Sequence, residues 1–250
     1  MAKSSSSENV MGLQADSAES MAAADIFKPG DVGAQGAAHL IASNIKIITV
    51  AALALIVGAG AIMYYFSSSE ENNMSASLQL SRVKSYYDAG EWEKALTGDA
   101  QKMVRGEAVI GLKEITEEYG RSEAGRAAAL YAGMALINQK KYDEAAEYLD
   151  HAAGSSSAVV AIGAKAGLAQ CKENGKDYTA AAALYEDAAG LGKNAGMEER
   201  YQYFAAINFE KAGQVDKATA LYTDLVIKNS ATEIAGEAKN SLARLGTIIE

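Results

Sequence analysis

The chain repeats itself. The stretch "QKKYDEAAEYLDHAA" from Gln139 to Ala153 returns as "GKDYTAAAALYEDAA" from Gly175 and as "GQVDKATALYTDLV" from Gly213. Aligned on Tyr142, Tyr178 and Val215, the copies place Ala145, Ala181 and Ala218 three residues further on. Leu149, Tyr185 and Tyr222 follow after four more, then Ala152, Ala188 and Leu225 after another three. Spacings of 3, 4 and 3 fall on one face of an α-helix. Small residues on that face let a neighbouring helix approach closely, and the larger residue one turn later fills the space between helix layers. Each copy is preceded by a turn signal ("NQKK", "ENGKD", "KAGQ") and by another apolar-periodic segment ("AAALYAGMALI", "AKAGLAQC", "YFAAINFEK"), so the unit is a helical hairpin. From Tyr142 to Tyr178 is 36 residues and from Tyr178 to Val215 is 37. One hairpin cannot bury its apolar face alone, and copies at this period bury one another by stacking into a solenoid.

Composition agrees with an all-α fold and removes several classes of function. Pro29 is the only proline, which leaves little to punctuate strands and turns. A formal charge of −9 and a pI near 4.9 argue against a nucleic-acid surface, which needs clustered Lys and Arg. Cys171 is the only cysteine, so there is no intramolecular disulfide and no multi-cysteine zinc site, and it reads as a small buried apolar residue. His39 and His151 lie in different regions, and neither a Gly-rich phosphate loop nor an H-E-x-x-H pattern occurs. The expectation is a protein without catalytic residues, cofactor or metal, and not an enzyme.

Residues 47–66, "IITVAALALIVGAGAIMYYF", carry no charge over 20 positions. At about 1.5 Å per residue that spans roughly 30 Å of hydrocarbon. Apart from Thr49 the segment is apolar all round, unlike a core helix with one polar face. With Lys46 before it and Tyr64, Tyr65 and Phe66 at its end, residues 45–66 read as one transmembrane helix and bring the lipid bilayer in as a partner. Residues 1–44 read as a disordered acidic tail, with a short helix around "SAESMAAADIF" as an alternative. Lys3, Lys28 and Lys46 precede the helix, which favours a cytoplasmic N-terminus and a periplasmic repeat domain. Ala54 and Gly58 form a small-xxx-small pair through which two such helices could associate as a homo-oligomer.

The hairpins resemble the tetratricopeptide repeat (TPR), with Gly133, Ala169 or Ala206 as the small residue of the first helix, then a turn, an aromatic and the small-large-small series. Departures are Val215 in place of the turn aromatic, and Ser157 and Ser230 where proline is usual. An earlier copy stands in "VKSYYDAGEWEKAL", with Tyr86, Gly90, Trp92 and Ala95 at the TPR positions. Trp92 to Tyr142 is 50 residues, longer than one period, and the excess falls in "TGDAQKMVRGEA", which reads as an interruption of the first repeat's second helix. "TEIAGEAKNSLARL", with Ile234, Ala238, Leu242 and Leu245 on one face, reads as a capping helix, so the solenoid is expected over 74–250. The order of tail, single membrane helix, "ALTGD", "YGRSEAG" and TPR units resembles bacterial membrane-anchored TPR proteins akin to the ancillary subunit of the Sec translocon. The resemblance covers roughly residues 40–250 and implies a bacterial inner-membrane location near a translocon.

A stack of hairpins is curved, and its first helices line a concave surface suited to peptide or protein segments. The TPR register projects Lys84, Tyr87, Met134, Ile137, Asn138, Lys165, Lys172, Arg200, Tyr203 and Ile207 onto that surface. Residues 67–250 hold 20 basic and 27 acidic side chains, so cations gathered there could grip carboxylates by charge-assisted hydrogen bonds. The alternative reading is a solvated polar face. Two functions fit: a module that recruits client or envelope proteins at the inner membrane, and a scaffold subunit of an envelope complex that handles no clients.

Overall fold

The computed structural model describes residues 45–228 and 230–247; the acidic tail expected over 1–44 lies outside them, as do the side chains of 45–48, 52, 61, 62 and 64–68. The chain divides into two compact units at Tyr64/Tyr65.

The first described element, α1, runs from Ile45 to Asp88 as one 44-residue helix. The expected membrane helix over 45–66 and the expected start of the solenoid at 74 both fall within this one helix. Between Gly60 and Gly90 the sequence has neither glycine nor proline, so nothing in "SSSEENNM" breaks the hydrogen-bond ladder. In the first unit Val50, Leu53, Leu55, Ile56, Val57 and Met63 are all exposed, and a Cβ built on Gly58 would meet open space. Among the described residues no helix is long and apolar enough to cross a membrane.

From Tyr65 onward the second unit is a stack of helical hairpins. The end of α1 is the first helix of repeat 1. Repeat 2 is α4 (Glu123–Asn138) with α5 (Tyr142–Ala153), and repeat 3 is α6 (Ala158–Asn174) with α7 (Tyr178–Gly192). Repeat 4 is α8 (Glu198–Lys211) with α9 (Val215–Lys228), and α10 (Glu233–Arg244) covers the last layer. Each helix packs on the next along this series. The three second helices begin at the aligned positions Tyr142, Tyr178 and Val215, and Ala95, Ala145, Ala181 and Ala218 are all fully buried.

Close approach is what the small residues supply. A Cβ on Gly133 would lie 2.5 Å from Cγ of Leu149, and one on Gly167 would lie 2.9 Å from its Cδ2. Leu149 therefore fills the seam between repeats 2 and 3 because glycine leaves the room; full burial of a leucine stabilises by about 2 kcal/mol. On α10, Ala238 and Leu242 are buried, and Ile234 together with Leu245 just past the helix end packs at the edge of the same cluster as Tyr222 and Leu225.

The turns share one geometry. Gly90, Lys140, Lys176 and Gly213 have φ of 73°, 62°, 62° and 74°, each two residues before a second helix. The next residue's N–H donates back five positions in every case: Glu91 to Tyr86, Lys141 to Leu136, Asp177 to Lys172 and Gln214 to Phe209, at 2.8–2.9 Å. This is the Schellman closure of a helix, which satisfies carbonyls at the helix end and needs a left-handed residue.

The all-α expectation needs one correction, in repeat 1. Its second helix is α2 (Trp92–Thr97), only six residues long, after which β1 (Gly98–Val104) and β2 (Glu107–Ile110) form an antiparallel ribbon before α3 (Leu112–Tyr119) resumes the layer. The loop residues Arg105 and Gly106 have φ of 55° and 85°, the doubly left-handed turn whose twist suits a two-residue hairpin. At the base of the ribbon two backbones touch: a Cβ on Gly98 would sit 2.4 Å from the carbonyl oxygen of Val109, and one on Gly111 2.2 Å from that of Leu96. Only glycine permits this pinch, which returns the chain to the helical layer so that Leu112 and Ile115 can be buried beside Leu96.

Candidate functional site

The first helices of the four repeats together line an open groove of about 510 Å³. One end is aromatic through Tyr87 of α1 and Tyr131 of α4, whose rings meet edge to face at 4.8 Å, with Trp92 also edge-on to Tyr87 at 5.3 Å. The other end is Tyr201 and Phe204 of α8, 6.2 Å apart, with Tyr185 of α7 packed 5.4 Å from Phe204. Between them the floor is built from small or flush residues of α6, namely Ile162, Gly163 and Ala166, while Leu130 and Met134 of α4 and Met197 before α8 form the sides. Groups at Gly163 must stay small, since a Cβ there already comes within 3.1 Å of Leu130. Val159 and Phe204 are left open to solvent in this groove.

Electrostatically the groove is sparse. Burial, with Tyr131 and Asp88 adding to it, holds the Tyr87 phenol above its ordinary range, so that ring is neutral at physiological pH. Gln170 is the uncharged polar contributor from α6, and among the described residues Arg200 is the one charged residue of the lining. Apolar faces with a few convergent polar groups suit peptide side chains.

Of the ten residues projected onto the concave face, Tyr87, Met134 and Arg200 line this groove. Tyr203 lines an adjoining cleft of about 490 Å³ with Glu199, Ile234 and Glu237, and that cleft shares Arg200 and Phe204 with the groove. Ile137 and Ile207 are half-buried at the edges of the core. Asn138 is exposed and its amide donates to the carbonyl of Met134. The lysines do not gather. Lys165 donates to Asp187 of α7 at 2.7 Å, Lys84 is held by Asp88 at 2.7 Å, and Lys172 is exposed outside the groove.

Tyr131, Tyr201 and Phe204 were not in the projected set. A signal for two of them exists: Tyr131 and Phe204 both stand two residues before the buried small residue of their helix, Gly133 and Ala206. Gly167 holds that place in repeat 3, where a Cβ would already lie 2.9 Å from Leu149, so the register that puts rings at the two ends admits none between them.

Behind the groove, carboxylates tie one repeat to the next. Glu173 at the end of α6 accepts from the hydroxyl of Tyr185 at 3.4 Å and from the amide of buried Asn208 at 2.7 Å, with Lys211 at 3.6 Å. Glu210, at the matching place on α8, accepts from Tyr222 at 3.1 Å and from Arg244 of α10 at 2.9–3.0 Å. In repeat 2 the corresponding residues are Ile137 and Leu149, an apolar version of the same contact.

No protein-family model matches the chain, and no curated protein does. Among solved structures, a Podosopora anserina protein of kinesin light chain type with nearly identical TPR-like repeats is similar at 16% identity and a TM-score of 0.49, over 66% of this chain and 82% of that one. A single-substitution variant of the same protein has a TM-score of 0.48 with the same identity and coverage.

Proposed function

We propose that this chain is a membrane-tethered protein-binding module that recruits or assists client proteins at the bacterial inner membrane, in the neighbourhood of the Sec translocon. The observation that carries the binding half is the groove, where four successive repeats contribute aromatic and apolar side chains to one open surface. Such a surface loses little by being wet and gains by covering Phe204, Val159 and the Tyr87–Tyr131 pair with a partner's apolar side chains. The tether rests on the 20 uncharged residues 47–66 within α1, and on the exposed Val50, Leu53, Leu55, Ile56 and Val57, which water disfavours and lipid accepts. The N-terminus faces the cytoplasm and the repeats face the periplasm on the strength of Lys3, Lys28 and Lys46. The translocon itself enters only through the resemblance in domain order.

Placing a photo-reactive phenylalanine analogue at Phe204 in living cells tests the binding half. Varied adducts with secreted or envelope proteins, present only while those proteins are being exported, are the expected result. One stoichiometric adduct would favour the scaffold function instead, and a probe that labels nothing would overturn both. For the tether, the full chain should stay with membranes through alkaline carbonate extraction and a chain lacking residues 45–66 should not.

A further inference from the structure

The groove and the cleft beside it form a single surface with a built-in polarity. They meet at Arg200 and Phe204, one helical turn apart on α8. On the side of repeats 1–3 the lining is aromatic and aliphatic. Beyond Phe204 the character changes: the cleft is bordered by Glu199 of α8 and by Glu233 and Glu237, which lie one turn apart on α10. Three acidic residues thus share the lining of this cleft with a single arginine, and Arg200 makes no ion pair within 4 Å among the described residues. Glu233 and Glu237 are exposed and are likewise absent from every ion pair of the described residues.

We propose that this composite surface binds an extended peptide segment carrying apolar side chains at one end and a lysine or arginine at the other. The proposal rests on the protein-binding reading and adds a partner chemistry to it. Apolar side chains would sit between the Tyr87–Tyr131 and Tyr201–Phe204 ends, over the Gly163 and Ala166 floor. A cation of the same segment would lie among Glu199, Glu233 and Glu237. Arg200 stands at the junction, where its N–H groups can donate to main-chain carbonyls of an extended segment and where its charge repels a cation placed in the wrong half. Charge complementarity then selects the direction in which the segment lies, while apolar burial supplies most of the affinity.

The test uses the full chain in detergent micelles and fluorescein-labelled octapeptides, read by anisotropy. One peptide carries Leu-Phe-Ala-Leu followed by two lysines, a second has glutamines in place of the lysines, and a third has glutamates. The lysine peptide should bind roughly fivefold to tenfold more tightly than the glutamine peptide, as expected for two exposed charge pairs, and the glutamate peptide should bind worst. The preference should shrink as ionic strength rises from about 50 mM to about 500 mM. In Glu233→Gln/Glu237→Gln the lysine and glutamine peptides should become equal, with the affinity for the glutamine peptide unchanged. Gly163→Leu, which fills the floor, should weaken all three. If wild type binds the lysine and glutamine peptides equally while Gly163→Leu still weakens both, the polarity is overturned and the groove stands. If the lysine preference survives in Glu233→Gln/Glu237→Gln and again in Glu199→Gln, the acidic cleft is not the cation's place and the proposal fails. Should no peptide bind wild type, and Phe204 crosslink nothing in cells, the protein-binding reading falls with it.

Discussion

Repeat 1 and repeat 4 bury the same alanine, Ala95 and Ala218, at the same position of the second helix, yet they are held together by opposite means. Repeat 4 is a continuous hairpin locked by side chains, with Tyr222 bonded to Glu210 and Glu210 to Arg244. Repeat 1 gives up its second helix after Thr97, makes an antiparallel ribbon, and closes by backbone contact between Gly98 and Gly111. A solenoid tolerates this because each repeat touches only its neighbours: the insertion must only return the chain to the layer, so that α2 and α3 present Leu96, Leu112 and Ile115 to α4. The lesson is that the packing face, not helical continuity, is what the repeat specifies.

The sharpest way to break the comparison is at the ribbon's base. Gly98→Ala places a Cβ 2.4 Å from a carbonyl oxygen at φ 85°, and Gly111→Ala places one 2.2 Å from another, neither of which a side-chain movement can relieve. Either should cost roughly 3 kcal/mol or more in chemical denaturation. Gly213→Ala in repeat 4, where φ is 74° but the space is open, should cost about 1 kcal/mol. Equal effects at the two ends would show that the pinch is not a structural requirement.

Next in size are the carboxylate ties. Glu173→Ile leaves the Tyr185 hydroxyl without its acceptor and the Asn208 amide with only the Phe204 carbonyl in a largely buried place, a loss of about 2 kcal/mol. Glu210→Ile removes one of the two side-chain partners of the Tyr222 hydroxyl, leaving Ser241, and frees an exposed Arg244, so about 1 kcal/mol is expected. Adding Tyr185→Leu to Glu173→Ile rebuilds the apolar pair that repeat 2 has in Ile137 and Leu149, and the double variant should be less unstable than the sum of its singles. Additivity would deny that the two residues act as a unit.

Acid should separate the ends more gently. In repeat 1 the Tyr86 hydroxyl bonds Asp99 at 2.6 Å and, with backbone N–H groups, holds that carboxyl below its usual range; Arg82 does the same to Glu107 at the ribbon's far strand. Because the folded values are lowered, their contribution is present above the ordinary carboxylate range near 4 and is lost as pH falls through the folded values. The same bond to Asp99 pushes the Tyr86 phenol up to about 12. Amide exchange in 98–110 should therefore speed up below about pH 4 before exchange in 198–228 does, and Tyr86→Phe should reduce the difference. Simultaneous opening of both regions would place the acid-sensitive groups elsewhere.

Much of this fold was legible because helical packing has a short code. Ala145, Leu149 and Ala152 announce a buried face by spacing alone, and the starts of α5, α7 and α9 fall on the aligned residues. The ribbon was legible only as excess length: "DAQKMVRGEAVI" is too polar and too short in alternation to declare a strand, and the pinch that makes it possible joins Gly98 to Gly111 across 13 residues. The groove was harder. Projection in one register found Tyr87, Met134 and Arg200 but also chose Lys165, whose pairing with Asp187 depends on how α6 and α7 are rotated against each other. Tyr201 entered through its contact with Phe204 and Tyr185, information that no single helix contains.

The smallest expected effect lies in the turns, where repeats 1 and 4 agree and the middle ones differ. All four closures need a left-handed residue, but Gly90 and Gly213 meet that need without strain while Lys140 and Lys176 hold φ of 62° with a Cβ crowded against the carbonyl. A lysine in this conformation is less favourable than glycine by about 1 kcal/mol, and glycine's greater freedom in the unfolded chain takes back part of the gain. Lys140→Gly and Lys176→Gly should each stabilise the chain by about 0.5 kcal/mol, and because the two turns are a full repeat apart the gains should add. A loss of stability instead would mean that the lysine stems contribute packing across the turn worth more than the strain. That outcome would separate the middle repeats from the ends by what covers their turns rather than by the turns themselves.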